Sequence, residues 1–270
     1  MPRNDKLAHV KKKSEQQVNT RINAWAAAAF LLVAPACVSA AEITVVAGMG
    51  NVSGVNDLAP AFEKASGHKV IVRFVQTADL PAFIDANTPA DVIAAAPEAL
   101  AGFLAKGKVV AGTRVDFAKA GVGVSVKAGA PKPNIATVEA FQTAMLNAKS
   151  IGYSNGGSGN IAAKVMEKLG IAGELKDRTK FINGRPVAED VANGEVEIGI
   201  QQINVLVPVP GADYVGPLPG ELQDYVLFSL GVLAVSKEPE AAKAFQRFAA
   251  APEAAPILRK SHMEPWHGER

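Results

Sequence analysis

Short apolar strands, small-residue turns and helices follow one another along most of this chain, and this alternation limits the possible folds. The clearest copy runs from the apolar stretch 150–152 through the Gly- and Ser-rich turn 153–160 into residues 161–170, which have helical apolar spacing and a Gly stop. Such alternation is typical of parallel β/α units, whose strands are apolar because helices cover both faces of the sheet. The pattern predicts an α/β fold.

Turns that end a strand and begin a helix recur at residues 48–54, 76–79, 154–160 and 183–186. The start of a helix carries N–H groups without an intrahelical acceptor and the positive end of the helix dipole. Anions and polar oxygens bind well at such places. We therefore expect a ligand of this kind to be held at these turns.

The N-terminus reads as a secretory signal peptide over residues 1–40. A basic stretch is followed by the apolar run Ala26–Val33 and by the small residues Ala34–Ala41. This pattern predicts cleavage near Ala40, after Ala40 or Ala41, and a periplasmic location. An uncleaved anchor and a lipidated Cys37 stay open as alternatives.

The charge balance gives no sign of a nucleic-acid partner. Six of the 28 Lys and Arg residues and two of the 26 Asp and Glu residues lie within residues 1–40, so the remainder carries a net charge of −2. No basic stripe laced with aromatic residues occurs, as a nucleic-acid surface would require. We expect no nucleic-acid partner.

The residue types and their spacing also predict neither catalysis nor a cofactor. Cys37 is the only cysteine and lies in the leader, so the mature chain would lack thiol chemistry. The Gly-rich turns miss the dinucleotide, P-loop and nucleophile-elbow patterns. No spacing of His, Asp and Glu suggests a metal cage. We expect no catalytic residue, no metal site and no cofactor.

Two segments are candidates for chain crossings between parts of the molecule. The first is the segment at residues 127–133, which is rich in Gly and Pro and follows the strand Val122–Val126. The long apolar strand Tyr225–Val235 is suited to crossing back.

Several segments, in this order, resemble type 2 periplasmic solute-binding proteins of the molybdate-binding branch, over residues 42–265: 43–47, 57–63, 88–93, 158–164, 194–200 and 252–255. The resemblance implies two lobes, each a sheet flanked by helices, joined by two crossing strands that act as a hinge. We expect one lobe at residues 41–120 plus 225–270 and the other at 121–224. The resemblance further implies a monomer that captures a small anion between the lobes and delivers it to an ABC importer permease, without chemistry.

The family's motifs place candidate ligand contacts on the four turns. The hydroxyl of the second turn falls at Thr77, the backbone donors of the third at Ser158 and Gly159, and the Arg of the fourth at Arg185. Two positions depart from the molybdate pattern, because Gly50 stands where a Ser is usual and Gln202 where a Tyr is common. The complete set of candidate contacts is Met49, Gly50, Asn51, Thr77, Ser158, Gly159, Arg185 and Gln202.

Each candidate also has a plainer interpretation. Met49 would be a core residue, and Asn51 would supply a left-handed turn conformation. Thr77 would be a helix N-cap, Arg185 a solvated side chain of a Gly-rich turn, and Gln202 a glutamine on an edge strand.

The two departures predict a change of ligand. Loss of one hydroxyl from a dry oxyanion site should cost about 1.5–3 kcal/mol. The ligand is therefore a molybdate-like oxyanion or, after such a change, a small organic carboxylate. Two alternative functions are a secreted enzyme that acts on a small organic acid and a ligand-sensing protein.

Overall fold

The computed structural model describes residues 40–266 and Gly268, and the strands and helices named here belong to that part of the chain. The strands are β1 Glu42–Ala47, β2 Lys69–Phe74, β3 Val92–Ala95, β4 Val115–Lys127, β5 Ile151–Ser154, β6 Thr179–Ile182, β7 Ile198–Gln202, β8 Ala212–Pro217, β9 Tyr225–Val232 and β10 Glu264–Pro265. The helices are α1 Met49–Ser66, α2 Leu80–Asp85, α3 Pro97–Ala105, α4 Val138–Asn147, α5 Gly157–Lys168, α6 Ala172–Leu175, α7 Val187–Asn193, α8 Ile203–Leu206, α9 Pro239–Ala249 and α10 Ala255–Lys260. Short 3₁₀ turns lie at Lys176–Arg178, Gly220–Leu222 and Pro252–Ala254.

The predicted signal peptide, with Cys37, lies outside the described residues except for Ala40. Within residues 40–266, no helix is both long and apolar enough to cross a membrane.

The described strands form a ten-stranded sheet with the order β2-β1-β3-β9-β4-β7-β5-β6, in which β8 and β10 pair with β4. β1 is parallel to β2 and β3, and β5 is parallel to β6 and β7. β9 lies antiparallel between β3 and β4 and so joins the first parallel set to the rest. The expectation of parallel β/α units is confirmed for these two sets, and so is the α/β fold class.

The chain passes from one set of strands to the other inside β4. Residues Val115–Gly121 pair with β9, whereas Val122–Val126 pair with β7. The expected crossing at residues 127–133 is therefore wrong, because the backbone stays extended and paired up to Lys127. Gly121 and Gly123 leave room for close neighbours at the point where the pairing strand changes. A Cβ added to Gly121 would lie 3.0 Å from Gln223 Nε2, and one added to Gly123 would lie 2.7 Å from Tyr214 Cε2.

Gln223 braces this crossing. Its Nε2 donates to the carbonyl of Val122 and its Oε1 accepts from the N–H of Val122, each over 3.0 Å. The side chain thus adds two bonds at the residue where the pairing changes, and the Val122 carbonyl also accepts from the N–H of Leu218 at 3.0 Å. The return strand β9 starts two residues later, at Tyr225, and ends at Val232 rather than at Val235.

The buried apolar residues separate into groups on the two sides of this crossing. One group joins α1 and α9 to β1, β3 and β9, with Phe62 and Phe245 in edge-to-face contact at 5.2 Å between ring centroids. Another joins α4 and α5 to the second half of β4, with Phe141 and Ile151 fully buried.

Helix α1 begins earlier than the sequence indicated. We expected a turn over residues 48–54 and a helix from Val55, but the helix starts at Met49. Gly has low intrinsic helix propensity, yet tertiary packing overrides it here. Gly54 faces the C-terminal part of the chain so closely that an added Cβ would lie 2.5 Å from Met263 Sδ.

Candidate functional site

A cavity of about 760 Å³ lies at the carboxyl ends of both sets of parallel strands. Residues at the N-termini of α1, α2, α3 and α5 line it, together with Arg185 just before α7. Ligands of open α/β sheets bind at this end of the strands. The topology therefore brings the four turns identified in the sequence to one place.

The first turn of α1 supplies three of the expected contact residues, Met49, Gly50 and Asn51. The N-cap residue is Gly48, which has no capping side chain. Its carbonyl accepts from the N–H groups of Asn51 at 2.9 Å and Val52 at 3.0 Å, so the N–H groups of Met49 and Gly50 precede the helical bonding pattern. Met49 lines the cavity instead of the core. Asn51 is helical and does not adopt a left-handed conformation.

The N-terminus of α5 forms the facing wall, through Gly156, Gly157 and Ser158. Ser158 is 2% exposed, and its hydroxyl makes no hydrogen bond within the described part of the chain. Gly159 is not among the lining residues. A Cβ on Gly159 would lie 1.5 Å from the carbonyl oxygen of Ser154, so this glycine lets α5 pack directly against the end of β5.

Thr77 and Asp79 line the cavity on the turn between β2 and α2. The N-cap of α2 is Asp79, without a capping bond, so Thr77 is not the helix cap that the plainer interpretation suggested. Thr77 Oγ1 faces the start of α1, where a Cβ on Gly48 would lie 3.0 Å away. Asp79 and Arg185 are the only charged residues among the described residues that line the cavity.

Arg185 is held in place by a buried carboxylate. Its Nε donates to Asp190 Oδ1 over 2.7 Å, and its Nη2 lies 2.6 Å from the same oxygen in the ion pair. The Asp190 side chain is buried, whereas that of Arg185 is 49% exposed. The hydrogen bond to Asp190 raises the pKa of the guanidinium further, so Arg185 stays charged. Within the described structure its Nη1 has no partner, which leaves donor groups for a ligand.

The two glutamines at the end of β7 have different roles. Gln201 Oε1 accepts from the N–H of Val187 at 2.8 Å and so caps α7. Gln202 is 8% exposed and lines the cavity. β7 lies between β4 and β5, so the interpretation of Gln202 as an edge-strand glutamine is wrong.

Gly50 and Gln202, the two departures from the molybdate pattern, are in direct contact. A Cβ added to Gly50 would lie 2.9 Å from Gln202 Oε1, 3.2 Å from Gln202 Nε2 and 3.3 Å from Phe228 Cε1. The amide of Gln202 therefore occupies the space that a serine side chain at position 50 would need. Gly50 and Gln202 therefore change the same part of the cavity floor together.

Sequence reasoning missed two residues that connect the walls of the cavity. Gln76 Nε2 donates to the carbonyl of Gly184 at 2.7 Å, and so links the ends of β2 and β6. Asn204 Nδ2 donates to the carbonyl of Gly50 at 2.9 Å and to Ser53 Oγ at 3.0 Å. Their polarity next to a strand end was the one available signal, since their partners lie 108 and 154 positions away.

The arrangement can bind an anion with neutral donors and one fixed cation. Helix N–H groups, the hydroxyls of Thr77 and Ser158, and Arg185 all face the cavity. No His, Cys, Lys or Tyr is found among its described lining residues. A search of the described residues finds no group of His, Cys, Asp and Glu suited to a metal ion.

The chain is similar in sequence to known bacterial solute-binding proteins. Residues 43–264 match the sequence model of a family described as bacterial extracellular solute-binding protein. A protein of Pseudomonas sp. named aconitate isomerase is 33% identical over 229 residues, 83% of this chain and 87% of that protein. The molybdate-binding protein ModA of Azotobacter vinelandii is 28% identical over 232 residues, 82% of this chain and 88% of that protein.

The fold also has close structural counterparts. The periplasmic molybdate-binding protein of Azotobacter vinelandii superposes with a TM-score of 0.68 at 21% identity, over 82% of this chain and 98% of that one. This likeness confirms the type 2 periplasmic binding protein fold, and with the 28% sequence identity to ModA the resemblance to the molybdate-binding branch is confirmed. The chain belongs to the family of bacterial extracellular solute-binding proteins.

Proposed function

We propose that this protein captures a small organic carboxylate in the cavity and delivers it to the membrane permease of an ABC importer. The observation that carries the proposal is Arg185, fixed by Asp190 with donors left over, beside uncapped helix N-termini. Arg binds carboxylates through paired N–H donors, and helix N-termini favour negative charge. The ligand contacts proposed are the eight residues predicted from the sequence, with Gly159 acting through its backbone alone.

The cavity floor favours a carboxylate over a molybdate-like oxyanion. Gln202 fills the place of a hydroxyl at position 50, so one donor to a tetrahedral oxyanion is absent. The volume of about 760 Å³ lies in the range of roughly 300–1,000 Å³ that is usual for sites of small organic ligands. A relative named for aconitate, a small tricarboxylate, points the same way.

We propose that residues 1–40 are removed and that the mature chain works as a monomer in the periplasm, without a nucleic-acid partner. We also propose that residues 41–120 plus 225–270 form one lobe and residues 121–224 the other. The separate buried groups around Phe62 and Phe141 support this division. Ligand would then close the cavity through a hinge at the crossing braced by Gln223.

Thermal unfolding of residues 41–270, refolded free of ligand, tests the proposal. The panel contains di- and tricarboxylates, molybdate, tungstate, sulfate and phosphate. A ligand present at about 100 times its dissociation constant adds about 2.7 kcal/mol to the free energy of unfolding, which raises the midpoint by several degrees. We expect shifts with carboxylates; shifts with molybdate and tungstate alone would contradict the proposal.

Isomerisation of a small unsaturated acid is a second candidate function, which the 33% identity to a protein named aconitate isomerase favours. Moving a double bond needs a group that takes a proton from one carbon and returns it at another. Asp79 is the only carboxylate among the described residues that line the cavity, so it is the candidate base. The geometry favours binding, because a carboxylate gains basicity on burial whereas Asp79 is exposed, and no His, Cys, Lys or Tyr is found among the described lining residues to assist it.

Proton exchange separates these two functions. Aconitate is incubated with the mature protein in D₂O and followed by NMR, for the wild type, D79N and D85N. Asp85 lies on the same helix and pairs with Lys106 at 2.9 Å, so it serves as the matched surface aspartate. Binding alone predicts no deuterium incorporation in any sample. Incorporation by the wild type and D85N that D79N loses would establish catalysis.

A further inference from the structure

Two buried amide side chains flank Gly50 without a protein partner. Gln202 is 8% exposed, Asn51 is 6% exposed, and both line the cavity. Within the described part of the chain, neither side chain makes a hydrogen bond, and Asn51 Oδ1 is fully buried and unpaired. Gln201 caps α7, and Asn204 donates through Nδ2 to Gly50 and Ser53, although its Oδ1 is buried without a partner in the described residues, like that of Asn51.

Such unpaired groups call for a partner that the chain itself does not supply. Buried polar side chains in native proteins are almost always hydrogen-bonded, and an unmet donor or acceptor destabilises the folded state. Gln202 makes no hydrogen bond within the described residues and lines the cavity, so a ligand there is its natural partner. Asn51 Oδ1 is enclosed by protein atoms and is not reached from the cavity.

The amide of Gln202 adds an acceptor to a cavity in which many groups only donate. Helix N–H groups and Arg185 only donate, the hydroxyls of Thr77 and Ser158 donate and accept, and an ionised carboxylate such as Asp79 only accepts. A Gln side chain carries an acceptor oxygen as well as a donor nitrogen. A fully ionised carboxylate, or a tetrahedral oxyanion without protons, would satisfy the donors and leave the Gln202 amide oxygen unpaired.

We propose that the ligand carries a hydrogen-bond donor beside its carboxylate, a hydroxyl, and that Gln202 recognises it. The site is then specific for hydroxy-carboxylates. This inference rests on the proposed function, since it presupposes that the cavity binds small carboxylates.

Matched pairs of acids test the inference by calorimetric titration of residues 41–270, freed of ligand. Citrate and tricarballylate differ by one hydroxyl, as do malate and succinate. We expect the hydroxylated member of the pair that binds to do so roughly tenfold more tightly or better, because the other member leaves a buried acceptor without a donor.

Replacement of the amide tests the assignment to Gln202. Methionine has nearly the same length and no strong hydrogen-bonding group, so Q202M should abolish the preference for citrate over tricarballylate, measured as the ratio of the two dissociation constants. Q142M is the matched control, since Gln142 Nε2 donates to the Leu169 carbonyl at 3.1 Å, away from the cavity. Thermal midpoints of both variants show whether they fold.

Each outcome decides a different point. Equal affinity of the wild type for both members of a pair overturns the hydroxyl inference and leaves the carboxylate site standing. An equal loss of affinity for citrate and tricarballylate in folded Q202M also overturns it, because Gln202 would then bind the carboxylate and not the hydroxyl. Binding of none of the four acids overturns the inference and the proposed carboxylate function together. If Q202M does not fold, the wild-type comparison still decides the hydroxyl inference.

Discussion

At the scale of single residues, the contact between Gly50 and Gln202 has the clearest consequence. A serine at position 50 brings its Cβ within 2.9 Å of Gln202 Oε1 and 3.3 Å of Phe228 Cε1. Because the nearest obstructing atoms are the flexible end of the Gln202 side chain, we expect G50S to lower the free energy of unfolding by only about 1 kcal/mol, the lower end for overpacked sites.

A second substitution shows whether Gln202 causes that loss. Q202A removes the obstructing amide, so the double variant G50S/Q202A should recover part of the stability that G50S loses. Urea denaturation of the four proteins gives the coupling between the two sites. Strict additivity of the two single changes would show that the clash is relieved elsewhere.

Arg185 should dominate the affinity for a carboxylate. R185A removes charge-assisted hydrogen bonds, which contribute about 1.5–3 kcal/mol each, so the dissociation constant should rise roughly tenfold to a hundredfold. R114A is the matched control, because Arg114 pairs with Asp116 over 2.9 Å outside the cavity. Unchanged calorimetric affinity of R185A for the best carboxylate would remove Arg185 from the site.

At the scale of elements, the approach of α5 to β5 depends on one missing side chain. A Cβ on Gly159 would lie 1.5 Å from the carbonyl oxygen of Ser154. The obstructing atoms belong to the backbone, which cannot shift without a large loss of stability. We expect G159A to destabilise the protein by about 3 kcal/mol or more, with the ligand site lost as the start of α5 moves.

Gly102 gives the control for that change. It lies inside α3 with no atom within 4 Å of its added Cβ, so G102A should be neutral or stabilise by up to about 1 kcal/mol. Chemical denaturation of G159A and G102A side by side checks both values. Similar stability of the two variants would contradict the packing role given to Gly159.

Local pattern was enough to predict the α/β alternation, the resemblance and most of the cavity lining, because the turns after parallel strands meet at one edge of the sheet. It was not enough for the start of α1 or for the crossing inside β4. In the first case packing on Met263 makes a Gly-rich segment helical, and in the second the pairing partners change within one strand. Contacts such as Gln76 with Gly184 join residues 108 positions apart, so no local pattern contains them.

At the scale of the whole molecule, Asn204 holds α8 and α1 together across the cavity floor. Its Nδ2 donates to both the Gly50 carbonyl and Ser53 Oγ, and the side chain is buried. N204A leaves these acceptors unpaired, so we expect a loss of about 1–3 kcal/mol in the free energy of unfolding. N147A, at an exposed helix end, should change it by less than about 0.5 kcal/mol. Equal urea midpoints for the two variants would contradict this role.

The position of β9 between β3 and β4 has a consequence for the order in which the protein is made. Residues 225–232 complete the sheet that residues 42–95 begin, yet they are synthesised after every strand from β5 to β8. A nascent chain therefore carries the apolar edge of β3, whose four residues are buried in the finished fold, without its neighbour for most of synthesis. Such long-range pairing is slow and exposes sticky surface in the meantime. The part of the chain that is synthesised first therefore cannot complete its own sheet until residues 225–232 are available.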